Sequence, residues 1–300
     1  MESLGKKTSR AVHQAVLSGG EPARRTADVL HGTWLGHPFH PALTDLVLGS
    51  WTLAEAFDLV AAVGGNRRAG QFGDRLTEIA AVSAAPTALA GLADYSTAPK
   101  WSLSAAALHA VINTVGAVLL LASVRERRSG HRGRGAALSA IGFAGAVVSS
   151  WIGGRLVYHH KVGVDHRDRF DGPDTWTPVL AWSDLPDRTP TRADWKTRGV
   201  LLYREGDEIF AIADKCAHAG GPLHKGKVRN CTVECPWHQS VYDLRDGSLR
   251  HGPSTYSQTA FEARHRNGQV EIRRVERKEL RRARSDQGRI EAESNPPARV

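Results

Sequence analysis

Two long stretches of this chain contain no Asp, Glu, Lys or Arg. They run over 101–124 (WSLSAAALHAVINTVGAVLLLASV) and 136–154 (AALSAIGFAGAVVSSWIGG). Each reaches the roughly 20 residues that cross a bilayer as a helix. The whole-chain numbers hide this. Apolar residues make up 41% of the chain, and the mean hydropathy is negative. Other absences narrow the function. The glycine-rich segments GNRRAG and GHRGRG lack a strand–turn–helix setting, so they make no dinucleotide-binding fingerprint. The basic residues lack interleaved stacking aromatics, so no nucleic-acid partner is expected. No apolar run follows the basic N-terminus soon enough for a cleavable signal peptide.

Two further apolar stretches, 43–63 and 76–92, hold Asp45, Glu55, Asp58 and Glu78. Gly, Ala and Ser are abundant in all four, and small residues let helices approach closely in lipid. The expected architecture is a four-helix transmembrane bundle over 35–160, after a polar, basic segment at 1–34. A soluble Ala-rich bundle is the alternative, and the uncharged length of the last two stretches argues against it. The net charge of +9 gathers in loops flanking these stretches and in the tail, so the lipid bilayer is a sufficient partner for it.

The second half has a different period. Apolar residues alternate in 200–203 and 208–212 around Glu205-Gly206-Asp207, and in 259–263 and 270–273 around Asn267-Gly268. Both are hairpin signals. An all-β domain is expected over 175–275, with a short charged linker at 161–174 that reaches at most ~50 Å when extended. The highly charged remainder, 276–300, is expected to be a frayed helix and a disordered tail.

Within the β half stands Cys216-Ala217-His218, then sixteen residues, then Cys235-Pro236-Trp237-His238. Two thiolates and two imidazoles alternate, one of each per loop. That donor set suits a [2Fe–2S] cluster with two Cys on one iron and two His on the other. Zinc also takes Cys and His, but usually as C-x2-4-C and H-x3-5-H pairs.

The stretch CAHAGGPLHKG…VECPWHQSVYDLRDGSLRHGPS resembles the Rieske family. The resemblance implies that Cys216 and Cys235 bind the inner iron, that His218 and His238 bind the outer one, and that Gly252-Pro253-Ser254 covers the cluster. It also implies that Ser240 and Tyr242 hydrogen-bond cluster sulfurs and raise the potential. Respiratory Rieske proteins carry an extra Cys pair, joined in a disulfide, where this chain has Gly221 and Trp237. With three Cys in the chain and two on the iron, only Cys231 is left, and it reads as a buried small hydrophobe. The likeness is therefore to ferredoxin or oxygenase-type Rieske domains, without a mononuclear-iron oxygenase domain.

Gly36-His37-Pro38-Phe39-His40-Pro41 and Gly153-Gly154-Arg155-Leu156-Val157-Tyr158 resemble a family of uncharacterised four-span bacterial membrane proteins. That likeness implies no activity. Ionisable residues in a span are usually functional or buried in the bundle. His37, His40, Glu55, Asp58, His109 and His159 are thus candidates for a membrane redox site, with haem b or a quinone as its cofactor, or else they pack the helices. Arg67, Arg68, Arg75, Arg125, Arg127, Arg128, Arg132 and Arg134 in two loops would keep those loops in the cytoplasm. Basic N-terminal and linker residues pull the other way. The missing disulfide suits the reducing cytosol, so the Rieske-like domain is expected on the cytoplasmic face of the cell membrane. The leading function is one-electron transfer with an unnamed redox donor and acceptor. A quinol-oxidising or haem-containing oxidoreductase subunit and a redox sensor or adaptor are the alternatives.

Overall fold

The computed structural model describes residues 2–167, 172–275 and 279. The chain forms two compact units, 1–164 and 165–300.

The first unit is helical: α1 (Glu2–Ser18), α2 (Gly20–His31), α3 (Phe39–Gly64), α4 (Arg67–Ser96), α5 (Leu103–Arg128) and α6 (Arg132–Tyr158). The last four are long and apolar enough to cross a membrane. Asn66 starts α4 by accepting the N–H groups of Arg68 and Ala69 at 3.1 Å, which satisfies orphan donors of the first turn. Small buried residues line the helix contacts, among them Ala54, Ala80, Ala90 and Ala146. Large apolar residues point outward instead, such as Val63 and Val82, a distribution that lipid would cover.

The basic N-terminal segment is more ordered than its polarity suggests. Gly5, Ser9, Val12 and Val16 fall on one face of α1, where Gly5 and Ser9 are buried. Small side chains there let α1 approach the C-terminal end of α4. Tyr95 donates its hydroxyl to the Gly5 carbonyl at 3.0 Å, and Ser9 donates to the Ser96 carbonyl at 3.0 Å. His31 of α2 meets Asp94 at 2.9 Å.

The second unit is β-rich. Its strands are β1 (Thr177–Ala181), β2 (Thr191–Trp195), β3 (Arg198–Glu205), β4 (Glu208–Ala213), β5 (Lys227–Arg229), β6 (Thr232–Glu234), β7 (Val241–Asp243), β8 (Leu249–His251), β9 (Ala260–Arg266) and β10 (Gln269–Arg274). One six-stranded sheet has the order β1-β10-β9-β4-β3-β2, and a four-stranded sheet has the order β5-β6-β7-β8. All the pairs are antiparallel.

The period of two in the sequence becomes two cores. Leu201 and Tyr203 of β3, with Phe210 and Ile212 of β4, face a core that includes Cys216, Cys235 and Tyr242. Val200 and Leu202, with Ile209, Ala211 and Ala213, face a second core with Val270 and Ile272. Each buried Val, Leu, Ile or Phe among them contributes roughly 1.5–3 kcal/mol by leaving water. The hairpins expected at Gly206 and at Asn267-Gly268 are present, and all three turn residues have positive φ. The expected tail at 276–300 lies outside the described residues, Glu279 excepted.

Candidate metal centre

The first candidate loop leaves β4 at the edge of its core. Cys216 donates its N–H to the Gly221 carbonyl at 2.9 Å, and Gly220 donates back to the Cys216 carbonyl at 2.8 Å. Gly220 has φ +81, so the reversal needs a residue without a Cβ. The second loop joins β6 to β7. Cys235 donates to the Ser240 carbonyl at 2.8 Å and Gln239 to the Cys235 carbonyl at 3.1 Å.

These loops bring the four donors together two by two. The Cys216 and Cys235 thiols are buried and within hydrogen-bond reach of one another. Burial pushes the Cys216 thiol well up. The hydrogen bond from Cys216, helped by the backbone N–H groups of Trp237 and His238, holds Cys235 down. Metal binding takes the thiolate form of such a pair. The rings of His218 and His238 meet edge to face with centroids 4.9 Å apart, and the Nδ1 atom of each is buried. Among the described residues no three His, Cys, Asp or Glu side chains converge as on a single ion. A binuclear cluster asks for two donors per iron instead.

The surroundings fit such a group. A Cβ on Gly221 would stand 2.9 Å from Cys235 Sγ and 3.1 Å from the Trp237 ring, so only glycine leaves this cradle open. The Tyr242 hydroxyl lies 3.3 Å from Cys216 Sγ. Burial, then the adjacent Cys216, pushes that phenol well up, which keeps its O–H a donor. Ser240 is fully buried, and its Oγ accepts the Ser254 N–H at 3.1 Å. The hydroxyl expected to serve a sulfur therefore also anchors the loop after Gly252-Pro253, a cis peptide.

Sequence reasoning missed one support. Asp214 Oδ1 accepts the His224 backbone N–H at 2.7 Å, and Asp214 Oδ2 lies 2.7 Å from His224 Nδ1. This pair ties together the two ends of the first loop. A separation of ten positions in sequence is too wide for a capping or turn pattern to signal them. Cys231 is only half-buried, in the turn between β5 and β6 with φ 55, and its thiol is 3.6 Å from Glu205. It is less interior than a buried hydrophobe because a two-residue hairpin turn projects from its sheet.

In the helical unit the six membrane candidates do not form one cluster. His40 at the start of α3 meets His109 of α5, with ring centroids 6.4 Å apart. His40 Nδ1 contacts the Thr87 carbonyl at 2.9 Å. His109 uses both ring nitrogens, Nδ1 with Ser149 at 2.9 Å and Nε2 with Asn113 at 3.0 Å. A haem iron would need one of them, so the haem option does not fit His109 as it stands. His37 Nδ1 is 2.8 Å from the Pro38 carbonyl, and His159 packs on His160 just after α6. Glu55 and Asp58 lie roughly 22–27 Å along α3 from His40 at the helical rise. Ser139 donates to Glu55 at 2.5 Å, and Trp51 donates to Ser139 at 2.9 Å. Asp58 is held by Arg127 and Arg132, and Arg127 also reaches Asp74 at 2.6 Å.

Residues 175–262 match the Rieske [2Fe-2S] domain, and residues 36–166 match a predicted membrane protein domain (DUF2231). The anthranilate 1,2-dioxygenase ferredoxin subunit of Burkholderia cepacia is 33% identical over 32% of this chain and 90% of its own length. Ferredoxin CarAc of Metapseudomonas resinovorans is 30% identical over 32% of this chain and 92% of its own length. The solved ferredoxin of carbazole 1,9a-dioxygenase from Nocardioides aromaticivorans IC177 is 25% identical, covers 34% of this chain and 99% of its own, and superposes with a TM-score of 0.32. With its β-rich half matched over nearly the whole length of such ferredoxins, the chain belongs to the Rieske [2Fe-2S] family, joined here to a four-helix membrane domain.

Proposed function

We propose that this chain is a membrane-anchored one-electron carrier whose cluster is held by Cys216, His218, Cys235 and His238. A [2Fe–2S] group supplies the electron-accepting chemistry when bound. Cys216 and Cys235 would hold the buried iron, and His218 and His238 the outer one. The observation that carries this assignment is the pairing of two buried, hydrogen-bonded thiols with two imidazoles meeting edge to face at 4.9 Å. The protein's part is electrostatic and steric. Backbone N–H groups of His218, Trp237 and His238 point at the two sulfurs, where they favour negative charge. Gly221 keeps the cradle open. The imidazole edge is the less buried side of the centre, and it offers the shortest route for an electron to a partner.

The relatives named as a dioxygenase ferredoxin subunit and as a ferredoxin support a carrier rather than a complete oxygenase. Donor and acceptor are then separate redox proteins or a membrane quinone. A quinone or proton site at His40 and His109 is a second reading, favoured by their 6.4 Å approach between two spans. Quinol-dependent reduction of the cluster in membranes tests it, and no reduction removes it.

The assignment is tested by optical and EPR redox titration of the purified full-length protein. A Rieske-type EPR signal is expected in the wild type, and it should vanish in His218→Ala and in His238→Cys. An unchanged signal in either variant refutes the ligand set.

A further inference from the structure

Resting on the electron-carrier reading above, we infer that the cluster-bearing tip is a cationic docking face, fitted to a redox protein whose own docking surface is lined with Asp and Glu.

Charge carries the inference first. The three loops around the candidate ligands, 215–226, 235–240 and 250–258, contain no Asp or Glu. They do contain Lys215, Lys225 and Arg250, all exposed. Of the carboxylates that flank them, Asp214 and Asp243 are buried and occupied, while Glu234, next to Cys235, is partly exposed. Asp214 is held by His224, and Asp243 faces both Arg245 and Arg250, two cations on one anion. Lys227 and Arg229 extend the basic surface along β5, where Glu234 is the cross-strand neighbour of Lys227. The Lys215 side chain also runs across the first loop, with its Cε 3.3 Å from where a Cβ on Gly220 would be. Charges of one sign around an electron exit steer an oppositely charged partner and raise encounter rates by about 10-fold to 1,000-fold at low salt.

Shape carries it second. Trp237 directly precedes His238 and is 47% exposed, although its ring packs over Gly221. A half-exposed Trp at the centre of a charged rim is the residue type that anchors protein interfaces. Gln239, directly after His238, has φ +60. A non-glycine side chain in the left-handed region carries strain, which folds retain where the side chain is used. Together, Trp237 and Gln239 flank the outer-iron candidate His238 inside a basic rim.

The test uses the full chain in neutral phosphatidylcholine nanodiscs, with the reduced cluster oxidised in stopped flow by anionic hexacyanoferrate(III) or by cationic tris(phenanthroline)cobalt(III). Between about 20 mM and about 200 mM salt, the anionic oxidant should slow about fivefold and the cationic one should speed up, as screening removes the field. Poly-L-glutamate should slow the anionic oxidant further, whereas poly-L-lysine should not. Lys215→Glu/Lys225→Glu should flatten or reverse the salt dependence. Rates independent of salt for both oxidants overturn the inference, and the wild-type measurement decides this even if the double variant fails to fold. If phosphatidylserine in the nanodisc abolishes the poly-L-glutamate effect, the face binds anionic lipid and the protein-docking inference falls. Loss of the Rieske EPR signal in the wild type would defeat the carrier reading instead, whereas an intact signal with salt-independent rates defeats this inference alone.

Discussion

The Tyr242 hydroxyl lies 3.3 Å from Cys216 Sγ, inside a core from which water is excluded. Burial and the neighbouring Cys216 push the phenol well up, so its O–H is available to donate to a sulfur that gains negative charge on reduction. A hydrogen bond of this kind contributes about 1 kcal/mol, which for one electron is roughly 40 mV. Tyr242→Phe should lower the cluster potential by about that amount in an EPR redox titration. Ser240→Ala should lower it too, and should also loosen the 252–254 loop, because Ser240 Oγ holds the Ser254 N–H. A potential unchanged in both variants would show that these hydroxyls serve packing alone.

Gly221 makes a sharper steric prediction. Its missing Cβ keeps 2.9 Å clear beside Cys235 Sγ and 3.1 Å beside the Trp237 ring. Gly221→Ala forces one of them to move, and overpacking of this kind costs about 1–3 kcal/mol. The iron-to-protein ratio should fall well below that of the wild type, while the far-UV circular dichroism of the helices stays the same. Full iron loading would mean that the Trp237 ring simply swings aside.

Much of this architecture was legible in the chain, and the gaps have physical reasons. The uncharged run at 136–154 falls within α6, and that at 101–124 within α5 after its first two residues, because a span must satisfy its backbone internally and cannot carry free charge. Asn267-Gly268 marked its hairpin because both residues tolerate positive φ. The paired ligand loops were readable from spacing, since metal chemistry restricts residue type more tightly than packing does. The order in α1 was hidden, because its contacts depend on Gly5 and Ser9 being small rather than apolar. Likewise, Asp58 and His109 looked alike as ionisable residues within spans. Only the fold separates them, placing Asp58 against two arginines and His109 against Ser149 and Asn113.

The Asp58 cluster should matter for the helical unit and not for the cluster. Asp58 and Arg127 are both nearly inaccessible, at 7% and 4% exposure of their side chains. Without Asp58, Arg127 and Arg132 would share Asp74 alone, at a cost of up to about 3–5 kcal/mol. Asp58→Asn should therefore lower the thermal stability of the detergent-solubilised protein substantially, and Asp58→Asn/Arg127→Gln should recover part of the loss. The EPR signal should be unchanged in both, since the candidate ligands belong to the other compact unit. Equal losses in the single and double variants would mean that the two side chains act independently.

Orientation is open to direct measurement. Four spans place both termini on one side of the membrane. The basic residues expected in two loops lie instead at helix ends, Arg67, Arg68 and Arg75 in α4, Arg125, Arg127 and Arg128 in α5, and Arg132 and Arg134 in α6, and they favour the cytoplasm for those ends. Several of those arginines are tied to carboxylates, however: Arg127 and Arg132 to Asp58, and Arg75 and Arg128 to Glu78. Their side chains are thereby committed to holding the bundle together, so part of the arginine count at these ends answers to folding. The Gly221 and Trp237 that stand where a disulfide pair would be suit a reducing compartment, where cluster insertion is also easier. A C-terminal green fluorescent protein fusion should therefore fluoresce, and a C-terminal alkaline phosphatase fusion should be inactive. The reverse pattern would put the Rieske domain outside, where its electron partner would be an exported protein or a membrane quinone.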